Sequence, residues 1–197
     1  MQWYEDIMKN NTKQLIMDTA WKHFSKYGYT DTNLERICKE AGITRGPLYY
    51  YFADKEDLYR QVMVQEVEKM DKEYTRIFAC EEPLMETIQK QINLSTIYNP
   101  LLQRANADNG EIPKVEEVFE LNEKVLKQTY EKFQQADRKG ELKEGVDILK
   151  MIYFLYTYYL GIVTFDEKIN VANQQDFYDK TLAIQIFLDS FRQQFIK

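Results

Sequence analysis

Apolar residues recur at intervals of three and four along nearly the whole chain, and alternating apolar-polar runs are almost absent. This pattern predicts an all-α protein. Ile16, Ala20, Phe24 and Tyr27 mark the inner face of a first helix over about 12–27. Gly28 stops it, because glycine takes the left-handed cap conformation at little cost. A second helix opens at "TNLE", where Thr32 and Glu35 have the spacing of a capping box. Leu34, Ile37, Cys38 and Ala41 form its inner stripe, and Gly42 ends it after little more than two turns. Only Ile43 separates that glycine from Thr44, the expected cap of a third helix. Arg45, Gly46 and Pro47 make its first turn, where proline removes no intrahelical hydrogen bond. Leu48 and Phe52, four apart, point inward, while Tyr49, Tyr50 and Tyr51 fan over the other faces. Asp54 then opens a long helix that runs to about Phe78.

The remaining pattern predicts helices over about 81–98, 113–138, 146–165 and 174–196. "NPLLQRANADNGEIP", from Asn99 to Pro113, is the most loop-like stretch, and Gly140 lies just past the end of the long 113–138 helix. "MIYFLYTYYLGIVTF" carries two apolar stripes. One holds Leu149, Ile152, Tyr153, Tyr156, Leu160 and Val163; the other holds Met151, Leu155, Tyr158, Ile162 and Phe165. A helix apolar on two sides needs cover on both. One side can face its own domain. The other faces a partner, or else both lie in the middle of one large monomer core. The last helix places Phe177, Ile184, Leu188, Phe191 and Phe195 on one face.

Two short helices joined by a tight glycine turn form a helix-turn-helix, whose second helix enters the major groove with its N-terminal residues at the base edges. Arg45 is a cation at that tip, able to make a two-pronged contact to guanine. Gly46 and Pro47 let the helix end approach closely, and the tyrosine hydroxyls can donate to phosphates, which fixes register. The competing reading is a helical pair that merely packs, which leaves an outward tyrosine triplet without a purpose. The charge balance narrows the location. The net charge of −6 disfavours nucleic acid, yet residues 1–60 hold nine Lys/Arg against nine Asp/Glu, and the rest of the chain carries the whole deficit. A DNA-binding part therefore belongs to the first sixty residues.

The 197 residues have room for one or two small domains, and two cysteines and one histidine leave little for metal or disulfide chemistry. No metal-protease, phosphate-loop or nucleophile-elbow motif is present. No catalytic residue, metal ligand or cofactor is therefore expected, and the chain does not read as an enzyme. No apolar run approaches a membrane span, and the N-terminus lacks the form of a signal peptide. The expected compartment is the cytoplasm.

"FSKYG", Thr32, "ICKEAG", "TRGPLYYYF" and "DKEDL" together resemble the N-terminal domain of the TetR family of bacterial transcriptional regulators, over about residues 12–60. Pro47 stands where the family often has threonine, and Tyr51 where it often has histidine; both bear on which bases are read. The resemblance implies phosphate contacts from Thr32, Tyr49, Tyr51 and Lys55, with Thr44 capping the helix and touching a phosphate. It places Arg45, Gly46, Pro47 and Tyr50 in the groove. It further implies a DNA-binding domain over 1–54, with 54–78 as a connector, and a helical effector-binding and dimerisation domain over 55–197. The last two helices would form the seam of a homodimer reading a palindromic operator, with Leu155, Tyr158, Gly161, Ile162, Ile184, Leu188 and Phe191 as candidate seam residues. A small-molecule effector would lie among Tyr74, Phe78, Ile88, Ile92, Phe119, Tyr153 and Tyr156, unless these rings and branches are simply core. The leading expectation is an effector-released repressor; the alternative keeps the DNA-binding domain and uses the C-terminal part to dock a protein partner.

Overall fold

The computed structural model describes residues 2–107, 112–171 and 180–197, with side chains at 11–96, 112–158, 161 and 181–197. Ile162, Phe165 and Phe177 therefore lie outside the described side chains. The described residues form eight helices: α1 (Gln2–Asp31), α2 (Leu34–Glu40), α3 (Arg45–Tyr51), α4 (Lys55–Ala79), α5 (Leu84–Ala107), α6 (Glu116–Arg138), α7 (Ile148–Val171) and α8 (Lys180–Phe195). The protein is all-α, and the one β-type pairing among the described residues is an isolated bridge between Leu142 and Ile196.

Packing divides the chain into two units, Met1–Lys69 with Pro100–Glu120, and Met70–Asn99 with Leu121–Lys197. The chain passes between them within α4, within α5 and within α6. The resemblance implies a connector over 54–78 between parts 1–54 and 55–197, and the passage within α4 falls inside that span. The loop expected after Asn99 is also shorter than its composition implies, since α5 continues through Pro100 to Ala107. A proline inside a helix costs one ladder hydrogen bond, which the remaining turns of α5 tolerate here.

In the first unit α1 breaks at Gly28 (φ 76°, ψ 176°), as the pattern required, and one further turn follows before α2. The helix starts earlier than its apolar stripe does, at Gln2 rather than near Thr12. Ile16, Ala20 and Phe24 are buried with Ile37, Leu48, Phe52, Leu58 and Tyr59. Phe24 meets Tyr59 edge to face with ring centres 5.0 Å apart, and Tyr29 meets Tyr59 in the same manner at 5.0 Å.

The second unit has its own core. Leu84, Ile88 and Ile92 from α5 pack with Phe133 and Ala136 from α6, Met151, Ile152 and Leu155 from α7, and Phe187, Leu188 and Phe191 from α8. The end of α6 is closed by Gly140 (φ 73°): Gly140 N–H donates to Asp137 and Glu141 N–H to Ala136, the paired bonds of a Schellman motif. Glu141 then accepts from the N–H of Leu84 at 2.8 Å and so caps the start of α5. The C-terminal residues are fastened to the same loop, with Lys143 N–H on the Phe195 carbonyl and Lys197 N–H on that of Glu141.

Candidate nucleic-acid interface

The turn between α2 and α3 is built from Gly42 (φ 65°). Gly42 N–H donates to Lys39 and Ile43 N–H to Cys38, again a Schellman closure. A Cβ at Gly42 would meet nothing within 4 Å, so the demand for glycine there is one of backbone angle and not of space. Leu48 is fully buried, and its carbonyl accepts from Phe52, which ends α3 in extended conformation. These two anchors turn the other faces of α3 outward. Tyr49 is 53% exposed and Tyr50 69%, while Tyr51 is half-buried with its ring edge to face with Tyr50 at 4.9 Å.

At the tip of α3, Thr44 is the N-cap residue, but its side chain makes no capping hydrogen bond. The first-turn N–H groups of α3 and the Thr44 hydroxyl thus lie together at an exposed helix end. That is the arrangement that receives phosphate oxygens. Arg45 and Gly46 are exposed and Pro47 is half-buried. The Arg45 guanidinium is paired with the Glu35 carboxylate, both about two-thirds exposed. A Cβ on Gly46 would meet only the Thr44 hydroxyl, at 3.9 Å, so nothing within the protein crowds this position.

Two of the expected contacts are differently engaged. Thr32 is buried and does not cap α2. Its hydroxyl donates to the Gly28 carbonyl at 2.5 Å and its N–H to Tyr29, closing the break in α1. Asn33 is the N-cap instead, accepting from Glu35 N–H at 2.7 Å. Glu35 faces Arg45 and not the N–H of Thr32. The capping-box spacing is occupied by a stronger local demand, the unmet carbonyl left by Gly28. A related cap forms one helix later. Asp54 accepts from Asp57 N–H at 2.8 Å, and Asp57 reaches back to Ala53 N–H at 2.9 Å.

Lys55 donates to the Thr30 carbonyl at 2.9 Å, with its ammonium over the Tyr29 ring at 4.6 Å. Burial pulls its pKa below the ordinary lysine value, against Asp31, which acts to raise it. Burial also pushes the Tyr29 phenol up, with Glu56 and Asp54 adding to the rise. An ammonium has three protons, so Lys55 holds the end of α1 and keeps donors for an anion. Sequence reasoning missed Asn33, Glu35 and Tyr29 as supports of this surface. Asn33 stands two residues before Glu35, the spacing of a side-chain cap, and that was the available signal.

In the second unit the expected effector residues separate. Tyr74 is buried and its ring stacks on Phe78 at 6.3 Å; the Tyr74 hydroxyl meets Ser95 at 2.7 Å. The Tyr156 hydroxyl is also buried. Ile88 and Ile92 belong to the hydrophobic core of that unit. Tyr153 is 75% exposed, and Phe119 is exposed and falls in the first unit.

The candidate seam residues also redistribute. Leu155, Leu188 and Phe191 are buried in the unit's own core, Ile184 is half-buried against it, and Tyr158 stacks on Phe187 at 4.4 Å with its hydroxyl on the Ala183 carbonyl. The outward face carries Leu149, Tyr153 and Gly161 from α7 with Leu182 and Ile186 from α8. The first stripe is therefore split, with Leu149 and Tyr153 uncovered and Ile152 and Tyr156 covered, while Met151 and Leu155 of the second stripe are covered.

Residues 16–62 match the model for bacterial regulatory proteins of the tetR family. The chain is 27% identical over 144 residues to the fatty acid metabolism regulator protein of Bacillus subtilis, covering 68% of this chain and 72% of that one. Among solved structures, a TetR transcriptional regulator from Chloroflexus aurantiacus superposes with a TM-score of 0.70 at 19% identity, over 96% of this chain and 98% of the other. The Bacillus subtilis FadR in complex with stearoyl-CoA superposes with a TM-score of 0.64 at 19% identity, over 90% and 96%. At these identities the superpositions speak for the fold. Among the described residues no helix is long and apolar enough to cross a membrane. With the family match lying on the helix-turn-helix built here from α2 and α3, residues 16–62 are a TetR-family DNA-binding domain, and the chain is a DNA-binding transcriptional regulator.

Proposed function

We propose that the protein is a homodimeric repressor that binds a palindromic operator through α3 and leaves it when a small molecule occupies the second unit. The observation that carries this reading is the exposed tip of α3. There an open Thr44 hydroxyl, Arg45 and Gly46 stand together beside the exposed Tyr49 and Tyr50 rings. Arg45, Gly46, Pro47 and Tyr50 meet base edges. Thr44, Tyr49, Tyr51 and Lys55 meet phosphates, and Thr32 acts from behind by holding the Gly28 break. The reaction cycle takes place in the cytoplasm, where the operator is.

Dimerisation is supported by the uncovered apolar face of Leu149, Tyr153, Leu182 and Ile186. A two-fold pair presents two copies of α3 to two half-sites. Effector control is supported by Tyr74 and Tyr156, whose hydroxyls are buried within the second unit. The FadR neighbour, whose structure holds stearoyl-CoA, is a precedent for a ligand within this fold.

The test is binding of the purified full chain to each palindrome flanking its own gene, in competition with unrelated DNA, across a range of salt. The expected result is one palindrome bound well above the rest, with a half-site spacing of about one helical turn or a multiple of it. Equal binding to all sequences would remove the operator reading.

A further inference from the structure

The core of the second unit contains a polar cluster that packing does not account for. Thr87, Gln91 and Ser95 stand on α5 at intervals of four, on one face, and all three are buried. Tyr74 from α4 bonds to Ser95, Thr129 from α6 bonds to Gln91, and Tyr156 from α7 lies beside Gln91 and Thr129.

The bonds already made decide which atoms remain. The Thr129 hydroxyl donates to the Val125 carbonyl at 2.8 Å. It can offer Gln91 only a lone pair, so the Gln91 Nε2 donates to it at 3.1 Å and Oε1 points elsewhere. The Ser95 hydroxyl donates to the Gln91 backbone carbonyl at 2.7 Å, so Tyr74 is the donor in its bond to Ser95. After this assignment the Gln91 Oε1, the Thr87 Oγ1 and the Tyr156 hydroxyl are buried without a hydrogen bond of good geometry, although Tyr156 stands close enough to Thr129 and Gln91 for both to act on its phenol. Orphaned buried polar atoms are unfavourable in a folded protein, and their recurrence in one place points to a task other than stability.

The cluster is also uncharged. None of its six side chains ionises near neutral pH: burial pushes the Tyr74 phenol up to about 12 and raises that of Tyr156 as well. Lys132, three residues after Thr129 on α6, is turned to the Cys80 carbonyl at 2.5 Å. A phosphate or carboxylate placed among these six side chains would meet no opposite charge within the cluster itself. A plain alkyl chain would leave the Gln91 oxygen unmet. Beside the cluster, the Phe78 ring stacked on Tyr74 offers an apolar wall.

We propose that this cluster recognises the polar group of the effector, and that the effector is an uncharged molecule with an apolar or aromatic body and a hydroxyl or amide N–H that donates to Gln91 Oε1. The proposal rests on reading the second unit as the effector domain. It sets this chain apart from a regulator whose ligand is an acyl thioester with a phosphorylated carrier.

The experiment uses the full chain with three probes: 2-naphthol, naphthalene, which is the same ring system without the donor, and stearoyl-CoA. Calorimetry gives affinity, thermal unfolding gives Tm, and operator binding is measured alongside. In the wild type 2-naphthol binds roughly tenfold more tightly than naphthalene, the factor expected for one hydrogen bond to an otherwise orphaned acceptor. Gln91→Leu removes that preference. Thr87→Val and Tyr156→Phe, which delete orphaned hydroxyls at nearly constant shape, leave the Tm of the ligand-free protein unchanged or higher. Equal affinity for the two ring probes, no binding of either, or a clear loss of Tm in both hydroxyl deletions overturns the proposal. If stearoyl-CoA binds and releases DNA, the chemical class proposed here is wrong while effector control stands. If 2-naphthol binds with the expected preference and DNA affinity does not change, the site stands and effector control falls.

Discussion

The guanidinium of Arg45, the first residue of α3, is paired with the carboxylate of Glu35 in the first turn of α2. The cation proposed to read a base is thus already held by the neighbouring helix of the motif. Both side chains are about two-thirds exposed, so the pair adds little to stability. Its consequence is for binding, because DNA must compete with Glu35 for the guanidinium and must also approach a carboxylate. Glu35→Gln should therefore strengthen operator binding while changing folding stability by no more than about 0.5 kcal/mol. Fluorescence anisotropy on labelled operator, with a thermal melt beside it, measures both. Weaker binding would mean that Glu35 is needed to aim Arg45.

Arg45 and Lys55 should separate cleanly in a binding experiment. Arg45→Ala should relax base preference at one position in each half-site, at a cost of about 1–3 kcal/mol on the preferred operator. Lys55→Ala should weaken binding on all sequences and flatten the salt dependence, as loss of a phosphate contact does. Because Lys55 also donates to the Thr30 carbonyl, its removal should lower Tm too. An unchanged salt slope with a lowered Tm would leave Lys55 with the structural role alone.

These residues also mark how far the sequence could be read. The helix-turn-helix was legible because its signals are local: Gly28 and Gly42 need positive φ, and Leu48 and Phe52 stand four apart on a short helix. The Thr32 cap was misread because one hydroxyl had two possible partners within reach, and only the folded chain reveals the carbonyl that Gly28 leaves unmet. On α7 the sequence supplied both stripes but not their sides. Leu155 and Tyr153 are equally plausible core residues by period, and what separates them is the position of α8, a long-range fact. The polar stripe of Thr87, Gln91 and Ser95 was present in the sequence at intervals of four. Its period alone does not distinguish a buried polar face from a solvated one.

Acid should act on the first unit through Asp57. Its pKa is held below the ordinary carboxylate value first by the hydrogen bond from Gln61 and then by that from Ala53 N–H. A depressed folded-state pKa means that the ionised form stabilises the fold above the unfolded value. That contribution is lost as pH falls through the folded one. Asp57→Asn should therefore lower stability at pH 7, and the difference from the wild type should close below about pH 4. Urea unfolding at pH 7, 5 and 3.5 checks this, and a constant difference across the series would show that charge is not the cause.

The seam prediction follows from which side of α7 is covered. Leu149 and Tyr153 are one turn apart and 67% and 75% exposed, and Leu182 and Ile186 stand one turn apart on α8 at 57% and 53%. Four large apolar side chains left exposed on two packed helices are a surface of the kind that marks association. Charge placed there should break a dimer without touching the monomer's core. Tyr153→Glu should thus give a folded monomer with normal helix content and greatly weakened operator binding, since each monomer retains only one reading helix. Leu188→Glu, on α8 but inside the core at 5% exposure, should instead reduce folding itself, because an unpaired charge is driven into an apolar interior. Gly161→Arg is the third arm. A Cβ at Gly161 would meet nothing within 4 Å among the described residues, so loss of the dimer with helix content kept would point to a second copy. Sedimentation equilibrium with circular dichroism distinguishes the three. Intact dimers of both Tyr153→Glu and Gly161→Arg would place the seam on another face and leave the exposed patch for a different partner.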